Sequence, residues 1–122
     1  MKKMPGYIVT ICIIGSLFSA VISRADGDID MCRDPRLSDA YESYQKGLRD
    51  SERGDRAYHG RAGKAQRMYE HAEDYFRTAE FKYKELGMQY DIDVSKEIDT
   101  CQKRYRDTHV KTGEARKRTH HR

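Results

Sequence analysis

Two segments begin like calcium loops. Asp26-Gly27-Asp28-Ile29-Asp30 and Asp91-Ile92-Asp93-Val94-Ser95 set oxygen-bearing side chains at alternate positions. Such a loop needs glycine at its sixth position and glutamate at its twelfth. Those places hold Met31 and Leu37 in the first segment, and Lys96 and Gln102 in the second. The first reads as a solvated stretch and the second as a helix start. The histidines His59, His71, His109, His120 and His121 make no His-x3-His pair, and no Cys-x-x-Cys pattern occurs. No metal and no cofactor are implied. Nucleophile-elbow, P-loop and dinucleotide motifs are missing. Glu70, Glu73, Asp74 and Glu80 stand among Arg67, Arg77, Lys82 and Lys84. Glu73–Arg77 and Glu80–Lys84 are i,i+4 pairs in the favourable order, so this is a solvated helix face. The chain is not expected to be an enzyme.

The elements that carry these residues follow from spacing. Tyr58, Ala62, Ala65, Tyr69, Ala72, Phe76, Ala79, Tyr83, Leu86 and Tyr90 alternate steps of four and three. That is the seam of one long helix, with aromatic rings along one edge and alanines along the other. Leu37, Tyr41, Tyr44 and Leu48 repeat the spacing before it, and Val94, Ile98, Cys101 and Tyr105 after it. Asp34-Pro35 supplies a cap and a first-turn proline. Gly54 is placed to end the first helix in a left-handed cap. Gly60 and Gly63 weaken the start of the middle helix, and Gly87 is a point where it stops early. Asp91 or Asp93 caps the third. The expectation is an all-α fold of three antiparallel helices near 35–53, 56–89 and 93–110, as a hairpin or bundle.

The first 25 residues are read as an export signal. Lys2 and Lys3 precede an uncharged stretch from Tyr7 to Ile22, and Ser23-Arg24-Ala25 offers a small-residue cleavage site. The apolar stretch is shorter than the roughly 20 residues that span a bilayer. A signal peptide over 1–25, cleaved after Ala25, implies a periplasmic or secreted protein. Residues 26–34 then form an N-terminal strap, 35–110 the helical domain and 111–122 a disordered basic tail.

Charge sharpens the division. The formal net charge of +4 falls to +1 without the signal. Residues 26–102 carry −5 and residues 103–122 carry +6. Arg116, Lys117, Arg118 and Arg122 concentrate at the end, and the alternative partner they would suit is an anionic polymer or membrane surface. From Asp26 onward only ten residues are Leu, Ile, Val or Phe. Tyrosine and alanine must fill the core instead, and a deep dry pocket is not expected.

Cys32 and Cys101 remain after cleavage. Export favours a disulfide, and helical rise sets both near the level of residues 81–83. A Cys32–Cys101 bridge tying the strap to the third helix is predicted. Most tyrosines sit on the seams. Tyr75 lies off them, and Met68 widens the stripe on the same side, so both are candidate partner contacts.

Ala72-x3-Phe76-x2-Ala79 resembles the second helix of a tetratricopeptide repeat, and Tyr83-x2-Leu86-Gly87-x2-Tyr90 the first helix of the next. Gly47 and Gly54 share that motif's seven-residue glycine spacing. The resemblance covers about 20 residues and implies a helical hairpin serving as a protein-interaction scaffold. It transfers no catalytic residues. The function expected is an exported helical interaction domain, an accessory subunit of an envelope assembly. The alternatives are a self-associating structural protein and a binder of anionic surfaces through the tail.

Overall fold

The computed structural model describes residues 30–120. The proposed signal over 1–25 and Arg122 lie outside the described residues. Among those described, the chain forms three α-helices and no strand. A 3-10 turn, Pro35–Leu37, leads into α1, Ser38–Ala57. The middle helix, α2, is Ala62–Tyr90, and α3 is Ser95–His120. No described helix is long and apolar enough to cross a membrane. The all-α, three-helix expectation is met.

Short polar side chains start the 3-10 turn and α3, whereas α1 and α2 begin without a side-chain cap. Asp34 accepts from the Arg36 backbone N–H at 2.9 Å and caps the 3-10 turn. Its side-chain bonds to Arg36 hold the Asp34 carboxyl down at about 2. Asp93 accepts from the Ser95 N–H at 3.1 Å and from its hydroxyl at 2.8 Å, which makes it the cap of α3.

The glycines serve other ends than expected. Gly54 lies inside α1, which continues to Ala57, and no described glycine has positive φ. A Cβ on Gly54 would sit 2.6 Å from the Tyr69 ring, and one on Gly47 would sit 2.7 Å from the Phe76 ring. Two glycines seven residues apart on α1 thus meet two rings seven residues apart on α2. They let the antiparallel backbones approach and seat the rings. Ala40, one heptad earlier, shares the core cluster with Tyr83, one heptad later. Gly87 does not stop α2 either. The helix runs to Tyr90 and ends on Asp91 in the left-handed region (φ 56°), whose N–H returns to the Gly87 carbonyl. A Cβ on Gly87 would meet Val94 Cγ2 at 2.7 Å, so this glycine admits the turn into α3.

Residues 111–122 were expected to be a disordered tail, and as far as His120 they are the last turns of α3. The seam of α3 does not end at Tyr105. It continues through Thr108, Thr112, Ala115 and Thr119 in the same steps of four and three. Thr108, Thr112 and Ala115 are buried. These small side chains let α3 lie close to the alanine edge of α2, and Ala115 joins a cluster with Ala65 and Tyr69.

The core is built mainly from tyrosine, alanine and single larger residues. The main cluster contains Leu37, Ala40, Tyr44, Ala72, Phe76, Ala79, Tyr83, Val94 and Cys101, with Met31 from the strap. Tyr44 and Phe76 pack with ring centroids 5.7 Å apart and tilted by 55°. The strap is therefore part of the fold. The Cys32–Cys101 bridge is not formed, because Cys101 is a free, buried thiol. The strap does reach the end of the bundle that helical rise indicates, where Met31, the neighbour of Cys32, shares one cluster with Cys101.

Candidate functional site

Two groups of side chains stand out, one buried and one exposed. The buried group lies where the strap crosses α2 and α3. The Tyr83 hydroxyl donates to the Met31 carbonyl at 2.6 Å. Arg33 Nε donates to Glu97 Oε2 at 2.5 Å, and a second Arg33 nitrogen donates to the Asp93 carbonyl. Glu97 is 1% exposed, and its Oε1 is buried without a hydrogen-bond partner. Burial pushes the Cys101 thiol up to about 12, with Glu80 and Glu97 adding to the shift. It is held protonated near neutrality and is a poor nucleophile there. Burial likewise raises Tyr83 far above the usual phenol range.

Beside α2, α3 turns a regular ridge toward α1. Arg104, Lys111 and Arg118 recur every seven residues, and each meets a tyrosine. Arg104 Nε donates to the Tyr44 hydroxyl at 3.1 Å. Lys111 lies 5.8 Å from the Tyr69 ring centre and pairs with Asp55 at 3.2 Å. Arg118 lies 4.9 Å from the Tyr58 ring centre and donates to the His59 carbonyl at 3.4 Å. The Asp55 carboxylate also accepts from the Tyr69 hydroxyl at 2.6 Å. Arg118 stands in the last turn of α3, where the helix dipole favours a cation, and Lys111 and Arg118 both lie over aromatic faces. Arg116 pairs more loosely with Glu70 at 3.8 Å, and Lys117 is exposed. Most of the described basic end is thus tied to the body.

The exposed group is apolar. Phe81 is 60% exposed and Met88 84%. Seven residues apart on α2, they share the face opposite the seam. An open groove of about 530 Å³ runs beside Met88, lined also by Asp39, Lys82, Glu85, Leu86 and Gln89. Lys82 crosses it to Asp39 on α1 at 3.2 Å. Tyr75 and Met68, the contacts suggested by the sequence, are half-buried. Tyr75 carries Lys46 of α1 at 5.9 Å from its ring centre. Sequence reasoning passed over Phe81 and Met88 because neither belongs to a seam. Their signal was the isolation of large apolar residues among charges.

Among the described residues no group of three or more His, Cys, Asp or Glu is placed to hold a metal ion. Arg33 with Glu97 was also missed, since 64 residues separate them and no local pattern connects them.

The class defined by these observations is an all-α three-helix domain with an N-terminal strap. The chain matches no family model, no curated protein and no solved structure. The tetratricopeptide-like segments 72–79 and 83–90, which the resemblance put on two successive helices, lie on the one uninterrupted α2.

Proposed function

We propose that the protein is an exported helical interaction domain, an accessory subunit that holds a partner helix of an envelope assembly on the outer face of α2. The observation that carries this reading is the pair Phe81 and Met88. Scattered exposed apolar residues are ordinary, but these two share one helix face, and Met88 also lines a groove. An aromatic and a flexible thioether at heptad spacing suit the apolar stripe of another helix. Export rests on the layout of residues 1–25. A photo-reactive residue placed at Phe81 should yield one discrete adduct in the envelope fraction, and the same residue at exposed Arg106 of α3 should yield none. Phe81→Ser with Met88→Ser should weaken the partner at least tenfold while helicity stays unchanged. Equal labelling at both positions, or none at Phe81, would overturn the reading.

Self-association through the same face is the second reading, and an adduct of twice the chain's mass would select it. The anionic-surface reading has less support, because Lys111, Arg116 and Arg118 already contact their own chain.

A further inference from the structure

The strap is held at side chains 52 and 64 residues further along the chain. The receiving side differs from an ordinary surface ion pair. Glu97 is almost wholly buried, whereas the side chain of Arg33 is 43% exposed. A buried carboxylate is stable only with well-placed donors, and an orphaned buried oxygen marks an incomplete set. Guanidinium presents N–H groups in a planar fork that matches both carboxylate oxygens. Arg33 gives Glu97 one of them, on Oε2, and turns another to the Asp93 carbonyl. Oε1 is left over. The Tyr83 hydroxyl, close by, takes a backbone carbonyl rather than a side chain, which suits any segment lying across this end of the bundle.

We propose that Glu97, the Asp93 carbonyl and Tyr83 form a receptor for an arginine-bearing peptide segment, filled in the resting protein by its own strap. The occupant that fits is a segment of a partner protein with an apolar residue two positions before an arginine, as Met31 precedes Arg33. The apolar residue enters the cluster beside Tyr83 and Cys101, and the arginine engages both oxygens of Glu97. The proposal deepens the interaction reading and rests on it, since it gives the partner's chemistry at a second point.

The test uses a fluorescent peptide of residues 30–37 with serine in place of Cys32, titrated against the full chain. The Arg33→Ala chain should bind it at least tenfold more tightly than the unaltered chain, whose strap competes. Adding Glu97→Gln, or replacing the peptide's arginine with lysine, should weaken binding at least tenfold. No binding to Arg33→Ala, or binding indifferent to Glu97→Gln, would overturn the proposal. Hydrogen exchange in the unaltered protein keeps the test decisive if Arg33→Ala fails to fold. Amides of Cys32 and Arg33 should exchange at least 100-fold faster than that of Cys101. Equal rates would mean that the strap leaves only with global unfolding, and would sink the receptor. Loss of peptide binding with the Phe81 adduct retained rejects the receptor alone. The converse rejects the α2 face alone.

Discussion

At the scale of single residues, two glycines with opposite roles test how α1 and α2 meet. Glycine inside a helix costs about 1 kcal/mol relative to alanine. Gly63, near the start of α2, has open space where a Cβ would stand, so Gly63→Ala should recover a stabilisation of that order. Gly47 has the Phe76 ring 2.7 Å from the same point. Overpacking a tight contact costs about 1–3 kcal/mol, and the ring is walled in by Tyr44. Gly47→Ala should therefore destabilise by about 1 kcal/mol net, lowering the melting temperature by about 4–8 °C in a domain of this size. Thermal unfolding of both variants decides the matter. A shift of the same sign for both would show that the glycines matter only for propensity. The sequence made both visible, Gly63 as a weak point of the middle helix and Gly47 only through its seven-residue spacing from Gly54. Which of them faces a ring is a property of two helices together, and no single periodicity contains it.

At the scale of elements, most of α2 was legible because its seam is strong: steps of four and three run without a miss from Ala62 to Tyr90, although Tyr58, which the same spacing put on this helix, lies in the turn before it. The end of α3 was not, because its buried positions are Thr108, Thr112 and Ala115. These have small volume and carry little hydrophobic signal. They are buried because the alanine edge of α2 leaves only that much room. The lysines and arginines nearby imitate a solvated tail, although three of them rest on tyrosines. The candidate site was less legible still. Glu97 and Arg33 look like two more charges until the turn at Asp91 brings α3 back along α2. Removing residues 111–122 therefore tests the structure directly. It uncovers Tyr58, part of Tyr69 and their contact with Ala115, on the order of 100 Å² of apolar surface, or about 2.5 kcal/mol at 25 cal/mol per Å². The melting temperature should fall by about 10–20 °C. A truncated chain that melts within about 2 °C of the full one would restore the disordered tail.

At the scale of the whole molecule, the apolar interior is divided. The larger cluster, around Phe76, Tyr83 and Cys101, is closed by Leu37 and the strap. The smaller, around Ala65, Tyr69 and Ala115, lies toward the turn between α1 and α2. A polar layer falls between them along the α2–α3 contact. Glu73 meets the Thr112 hydroxyl and lies 3.4 Å from His109 Nδ1, and Thr112 also bonds the Thr108 carbonyl at 3.1 Å. Hydrogen bonds fix geometry there, but they contribute less on burial than apolar contact does, because water offers the same groups equivalent bonds. The two ends should then differ in local stability, since opening the smaller cluster exposes little surface and opening the larger exposes most of the core. Native-state hydrogen exchange in low denaturant reads this out. Amides near Tyr69 and Ala115 should exchange through an opening at least tenfold more populated than that governing Phe76 and Cys101, a gap of about 1.4 kcal/mol or more. The gap should persist at denaturant concentrations below the global transition and close as that transition is approached. Identical exchange free energies at both ends would mean that the polar layer transmits cooperativity as well as an apolar core does. The division of the molecule would then be one of composition and not of stability.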